Sequence, residues 1–442
     1  MTNDYSSNTV TPVERAITET VQHDTEPAAA VVPFRRRLRR GFWHVCARLS
    51  TLGWVVLLAV AKVIGRRRRP ISSQGCNILL TGRFDSANWI RNHLGPLAAS
   101  EGCAHVWMVS TNPVPAVPKV TPIYPPQWMV RVIGATQARL LTFAWATLCR
   151  RPDWVGGFYL VANGIVAALV ARLVGARSMY FCVGGPAEVL DGGCHSKDNI
   201  TGRMETPDAV VESRLLKIVG TFDTIITMGT KAVTFFREKG VHTAFHVVSG
   251  GIDPSQFQRA TESPRYDLIL TGRLVEIKRI DVLLHAVKIA AERVPGIKAV
   301  IVGDGPLRDS LQALSADLHI DGHVSFLGRQ DDVATWLRRS KVFALTSDSE
   351  GLSLSMMEAM MCGLPAIVSD VGDLGDLVDD GVNGYLVPRR SPEVFAERIV
   401  ELLTDKRKQK SFSEAAHNAA MRYETDATIQ RWDRILAELT QS

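Results

Sequence analysis

The chain has 442 residues, 46% hydrophobic and 22% charged, too long for one ordinary core and too apolar for a disordered protein. Its net charge of +6 is unevenly held, with −4 on residues 1–34, +11 on residues 35–69 and −1 on the rest. A body that close to neutral argues against a nucleic-acid enzyme, and seven cysteines without a Cys-x-x-Cys pair supply neither a disulfide framework nor a zinc site.

Residues 1–34 show no sustained period and read as a disordered tail. Residues 35–70 read as a membrane-associating helix, because the apolar run Leu49–Ala61, broken by Ser50 and Thr51, is closed by arginine clusters at both ends. Its late start and the lack of a small-residue cleavage site argue against a signal peptide. A spanning helix needs about 20 apolar residues. Gly41–Ile64 reaches that length only by including His44, Arg48 and Lys62. Arginine on both flanks suits a helix that lies in, or re-enters, the anionic cytosolic leaflet. A single span and an ordinary buried helix are the alternatives.

From Asn77 onward short apolar strands alternate with helices. "CNILLTG", "HVWMVS", "TFDTIITMG" and "FHVVSGGID" are strands of a first half, and the Pro-rich "NPVPAVPKVTPIYPP" is expected to be an irregular connection. After the polar "QRATESPRY" the alternation restarts with "DLILTG", "KAVIVGDG", "HVSFLG", "KVFALTS" and "PAIVSD". Two successive βα runs predict an α/β protein of two doubly wound, Rossmann-like parallel sheets, over residues 71–255 and 262–420. Residues 421–442 form a last helix whose Ile429, Trp432, Ile435 and Leu436 recur at helical spacing, so it packs back on the body. Ligands of such sheets gather beyond the carboxyl ends of the strands.

In the second half those ends carry the chemistry. Gly272 closes a strand and is followed by Arg273 and Lys278, a guanidinium fork and a point charge that suit a diphosphate. Gly303 lies in a glycine-rich turn opening a helix at Pro306, where a ligand can approach the backbone. Asp331 and Asp332 suit N-capping rather than a metal, since no further ligands lie nearby. Glu350 falls in the loop before a helix, and Glu358 on that helix's second turn. Taken alone, the two glutamates need be no more than helix-dipole complements.

The motifs "GRLVEIKRID", "VGDGP", "FLGRQDDV" and "SEGLSLSMMEAMMCGLPAIVSDVGDLGDLVDDGVNGYLV" together resemble the second domain of the family 4 retaining glycosyltransferases, of GT-B fold. "VVSGGIDPSQF" is similar to that family's interdomain segment, with Gly250-Gly251 where Asn-Gly is usual. The resemblance covers most of residues 247–390. It implies that Arg273 and Lys278 hold a donor diphosphate, and that Glu358 binds the ribose and Glu350 the transferred sugar. Backbone amides of Gly351, Leu352, Ser353 and Leu354 would meet sugar and phosphate, and Leu327 the base. Gly82, in "GRFDSAN", would face the phosphate from across the cleft, although Ser86 suits a plain N-cap. It also implies no cofactor and no metal.

The acceptor side departs from the family pattern. Where many relatives carry a histidine this chain reads "FCVGGPAEVLDGGCHSKDN", leaving Glu188, His195 and Asn199 as polar candidates. The expectation is a retaining transferase that moves a sugar from a nucleotide-diphosphate sugar to a lipid-linked or polysaccharide-precursor acceptor. It would work on an anionic membrane surface at the cytosolic face, with no nucleic-acid partner. The alternatives are a GT-B sugar phosphorylase, a nucleotide-sugar epimerase, or a catalytically silent sugar-nucleotide-binding membrane protein.

Overall fold

The computed structural model describes residues 34–71, 75–84, 86–194, 200–259 and 263–441. Seven strands, β1 (Cys76–Thr81), β2 (Cys103–Val109), β3 (Val120–Ile123), β4 (Trp154–Phe158), β5 (Arg177–Cys182), β6 (Thr224–Thr227) and β7 (Ala244–Val247), form one sheet. Their order is β3-β2-β1-β4-β5-β6-β7, with every pairing parallel. A second parallel sheet contains β8 (Tyr266–Thr271), β9 (Ala299–Val302), β10 (Val324–Gly328), β11 (Ser340–Leu345), β12 (Ala366–Ser369) and β13 (Gly384–Val387). Its order is β10-β9-β8-β11-β12-β13. Each sheet reverses direction of growth once, between β1 and β4 in the first and between β8 and β11 in the second. Central strands such as β4 and β9 are buried on both faces, as their unbroken apolar runs require.

The Pro-rich stretch is not irregular throughout. It contains β3, which sits at the sheet edge with Pro122 in it, where a missing backbone donor costs no ladder bond.

The helices of the first domain are α1 (Phe34–Ile64), α2 (Ala87–Ala99), α3 (Gln127–Ile133), α4 (Ala135–Arg150), α5 (Ile165–Val174), α6 (Ala209–Val219) and α7 (Thr230–Glu238). The second domain adds α8 (Ile280–Arg293), α9 (Arg308–Asp317), α10 (Val333–Arg338), α11 (Leu354–Met361), α12 (Pro392–Thr404) and α13 (Lys406–Ala420). A final helix, α14 (Thr425–Gln441), returns to the first domain, where Trp432, Ile435, Leu436 and Leu439 join the core under β1 and α2.

Helix α1 lies along the first domain, over α5 and α6. One face is polar and turned inward. His44 Nδ1 and Arg48 Nε reach Asp208 Oδ2 at 2.7 and 2.9 Å, His44 Nε2 meets Thr206 Oγ1, and Arg40 pairs with Glu205. Ala47, Leu58 and Ala61 are buried beside them, with Trp43 and Trp54 packed against the same core. The other face carries Phe42, Val45, Leu49, Leu52, Val56, Val60 and Val63, all exposed and spaced three or four apart. The histidine and arginine that interrupt the apolar run are therefore the groups that dock it. By length and composition, Arg39–Ile64 is also long enough to cross a membrane, an 18-residue stretch within it having a mean hydropathy of 1.7.

The chain crosses between domains twice, side by side. At the first crossing Gly250, with φ +103°, lies against His93, and a Cβ on Gly251 would sit 2.8 Å from Pro96 Cγ. The second crossing bonds to the first, with Ile252 N donating to Tyr423 O and Thr425 N to Ile252 O at 2.9 and 3.0 Å. Away from these crossings the domains also meet at the start of α7. Thr230 N and Oγ1 donate to Asp376 at 2.6 Å each, and Lys231 N donates to Asp373 Oδ1 at 2.8 Å. Gly229 is needed there, because a Cβ would fall 2.2 Å from Asp373.

Asp208 also caps α6, accepting from Val210 N and Val211 N. Asp208→Ala should cost about 1–2 kcal/mol, the worth of an N-cap, and should free α1. The check is faster limited proteolysis at Arg66–Arg69 together with a lower melting temperature. Unchanged cleavage would show that apolar packing alone holds α1.

Candidate active site

Arg273 and Lys278 follow β8, and Glu350 and Glu358 follow β11, so all four lie at the carboxyl ends of the two strands that flank the second sheet's reversal point. Three contacts stitch the two loops together. Thr346 Oγ1 donates to the carbonyls of Lys278 and Arg279, Asp348 N donates to Ile277 O, and Lys278 Nζ meets Glu350 Oε1 at 2.5 Å. Ser347 Oγ donates to the same carboxylate oxygen at 2.6 Å. Asp348 is clamped in turn by Arg390, at 3.0 and 2.7 Å, and lies 3.6 Å from Arg279. Hydrogen bonds from Arg390 hold the Asp348 carboxyl below its ordinary value against the opposing effect of burial. Lys278 and Glu350 are thus one ion pair, whereas their separate motifs suggested separate contacts.

Glycines set how closely these loops stack. A Cβ on Gly303, at φ +143°, would lie 1.8 Å from Gly272 O, and one on Gly372, at φ +52°, would lie 1.7 Å from Glu350 O. Gly272, Gly303 and Gly328 therefore sit together at adjacent strand ends, with Gly303 N donating to Gly328 O at 2.8 Å. Leu327 is half-buried beside them, its carbonyl held by Gln330. Gly351 touches the other domain, since its Cβ would stand 2.7 Å from Val183 O.

Helix α11 starts at Ser353, whose hydroxyl accepts from Met356 N, and ends where Gly363, at φ +84°, returns its amide to Met360 O. Leu352, Ser353 and Glu358 are buried, and Leu354 is half-buried. Burial pushes the Glu358 carboxyl up to about 8. Arg273 is exposed at the rim.

The first domain corrects one expectation. Glu188 does not present a carboxylate to an acceptor. It is buried, and it accepts from Leu160 N, Gly184 N and Tyr180 Oη at 2.6, 2.6 and 2.9 Å, holding the loops after β4 and β5. Burial, working against these bonds, brings its carboxyl up to about 7. Gly82 is buried under Phe84, whose ring would lie 2.3 Å from a Cβ, so aromatic packing accounts for that glycine. Ser86 caps α2, accepting from Trp89 N. His195 and Asn199 lie outside the described residues. Helix α9 begins at Arg308, two residues beyond Pro306, and Asp332 caps α10.

A ring stack without a signal in the sequence lies beside Gly82. Phe84 and Trp89 are 4.5 Å apart, Trp89 and His93 are 3.8 Å apart, and Phe158 meets Phe84 edge-on. Burial takes His93 down to about 3. The Asp373 and Asp376 contact with α7 is likewise one that no spacing in one segment can reveal.

Residues 252–419 match the profile of the glycosyl transferases group 1. N-acetyl-alpha-D-glucosaminyl L-malate synthase of Bacillus anthracis is 31% identical over 170 residues, covering 38% of this chain and 44% of that protein. D-inositol 3-phosphate glycosyltransferase of Mycobacteroides abscessus is 36% identical over 179 residues, covering 38% and 39%. The chain spans less than half the length of these curated relatives. Among solved structures, sucrose-phosphate synthase of Thermosynechococcus elongatus superposes with a TM-score of 0.68 at 17% identity, over 83% of this chain and 99% of its own. Anabaena HepE in complex with UDP gives 0.62 at 17%, over 83% and 100%. The second domain of this chain is thus similar to the group 1 glycosyl transferases, and the two domains together have the GT-B fold.

The raised Glu358 carboxyl has a defined sign. Its folded value, about 8, exceeds that of an unfolded chain, so folding stability falls as pH rises from the ordinary carboxylate range through about 8. Melting curves between pH 5.5 and 8.5 should show wild type losing at least about 3 °C relative to Glu358→Gln, each kcal/mol being worth about 2–4 °C in domains of 150–250 residues. Parallel pH profiles would mean that the carboxyl is not buried as described.

Proposed function

We propose that the protein is a retaining glycosyltransferase that moves a sugar from a nucleotide-diphosphate sugar to a lipid-linked or polysaccharide-precursor acceptor at the cytosolic face of a membrane. The observation that carries the reading is the Lys278–Glu350 pair between two stitched strand-end loops, with Arg273 at the rim and Glu358 buried behind. Arg273 and Lys278 supply positive charge where a diphosphate departs. The bond from the anomeric carbon to the diphosphate oxygen breaks, its electron pair leaves with the diphosphate, and the oxocarbenium-like sugar is captured by the acceptor oxygen, whose proton passes to the departing diphosphate. Glu350, already poised on Lys278, takes sugar hydroxyls as the lysine turns to phosphate. Glu358 accepts from the ribose hydroxyls, which repays the cost of ionising it in the interior.

Membrane placement is supported by the orientation of α1, whose polar side docks on the first domain and whose apolar stripe faces out, between arginine clusters. A helix held along its length suits lying in the interface better than spanning. The retaining outcome rests on the family resemblance, and the product's anomeric configuration is its direct check.

Glu350→Gln should lower kcat by about 10²–10³-fold, the size of one lost electrostatic contact at a reacting centre, while donor affinity stays within a few-fold. Lys278→Ala should weaken both. Radiolabelled sugar transfer and nucleotide thermal shift measure the two effects, and normal transfer by both variants would sink the assignment. For the membrane, removal of α1 is a poor test because Ala47, Leu58 and both tryptophans pack into the domain. Exposed Leu49, Val56 and Val63 are better targets. Their triple change to glutamate should abolish flotation with phosphatidylglycerol vesicles without changing the melting temperature, and undiminished flotation would overturn interfacial anchoring.

A further inference from the structure

A cavity of about 470 Å³ opens in the first domain beyond the carboxyl ends of β1, β2 and β3. Arg83 after β1, Asn112 after β2, Tyr124 after β3, and Gln127, Thr136 and Arg139 from α3 and α4 line it. Among its described lining residues none is aspartate or glutamate. Arg139 is the unusual member, because it is only 3% exposed. Its Nη1 donates to two neutral oxygens, Thr81 Oγ1 at 3.1 Å and Asn163 Oδ1 at 2.8 Å. No ion pair holds it among the described residues. Burial first, and then the like charge of Arg83, bring its guanidinium down to about 10.

An ion in this position is costly unless an opposite charge arrives, and unlike a lysine a guanidinium does not escape by losing its proton. The surroundings are built to keep it in place. Thr81 Oγ1 donates onward to Val109 O, and Asn163 Nδ2 donates to Phe158 O at 2.6 Å, so both acceptors are themselves fixed. Asn163 sits in the turn after β4, where Tyr159 and Ala162 adopt left-handed φ of 65° and 70°. Chain conformations of that kind persist only where the surrounding structure enforces them. One wall is α3, which buries none of its seven residues although Trp128, Met129, Val130, Val132 and Ile133 are apolar. Trp128 is 64% and Val132 75% exposed.

We infer that this cavity is the acceptor site, and that it takes an acceptor bearing a phosphate, gripped between Arg83 and Arg139. The inference rests on the transferase reading only for the word acceptor, since the anion site stands on its own geometry. Two guanidinium forks with Asn112, Tyr124 and Thr136 around them match the several oxygens of a phosphate ester. The volume is that of a small-molecule site. The apolar wall of α3 suits a chain leaving the phosphate, and an open rim suits a soluble phosphorylated polyol, so phosphate is the chemistry common to both sources.

The full-length protein is titrated by calorimetry with glycerol 3-phosphate and with monomeric dihexanoyl phosphatidylglycerol, and separately with UDP. Arg83→Gln and Arg139→Gln should each weaken binding of whichever phosphate compound binds wild type by at least tenfold and leave UDP affinity within twofold. Loss confined to dihexanoyl phosphatidylglycerol identifies a lipid headgroup, and loss for glycerol 3-phosphate a free phosphorylated acceptor. If Arg139→Gln fails to fold, exposed Arg83 carries the test alone. The inference is overturned if neither compound binds wild type, or if both variants bind as wild type does. Absence of UDP binding in every form would instead defeat the donor reading, with the phosphate result standing apart from it.

Discussion

Asp373 and Asp376 come from the loop after β12, yet they cap a helix of the other domain. Their bonds to Thr230 and Lys231 fix how the two rows of strand ends face one another. The contact is demanding, because Gly229 leaves no room for a side chain and Asp373 is fully buried. Burial raises the Asp373 carboxyl to about 6, against the amide bond from Lys231, so the cap is made at some electrostatic cost. From the same loop, Gly372 presses on the carbonyl of Glu350 and so places the carboxylate that pairs with Lys278. One short segment thereby sets both the domain approach and the geometry at the reversal point of the second sheet.

The second domain was legible because its chemistry is local. Arg273, Lys278, Glu350 and Glu358 each sit just past a short apolar strand bounded by glycine, and strand order brings neighbouring ends together without further information. Their pairing was not legible. That Lys278 spends its charge on Glu350 depends on Thr346 and Asp348 tying two loops some 70 positions apart, as the 72-residue separation of the pair attests. Glu188 misled for the opposite reason, since a glutamate in a glycine-rich loop looks available until Leu160 N, Gly184 N and Tyr180 Oη are seen to consume it. Arg139 gave no signal at all, being one arginine inside an otherwise ordinary amphipathic helix.

The first domain is arranged around two layers of unusual polarity. Helix α1 inverts the usual pattern by docking through His44, Arg40 and Arg48 and leaving its apolar stripe outside. Helices α3 and α4 add Trp128, Val132, Leu141, Trp145 and Leu148, all exposed. Scattered exposed apolar side chains are ordinary, whereas contiguous runs along the helices of one domain are not. The sheet beneath bears none of this burden, because β4, β5 and β6 are sealed on both faces.

The two interdomain crossings carry a mechanical consequence. Because Ile252 is bonded to both Tyr423 and Thr425, the paired segments behave as the pin of a door rather than as two independent tethers. Sliding or twisting along that pin would break its backbone bonds. The α7 cap and the Gly351–Val183 contact lie off the pin, where a small swing becomes a large separation. Any relative movement of the two domains is thus confined to one arc, and the two off-pin contacts are made or broken together.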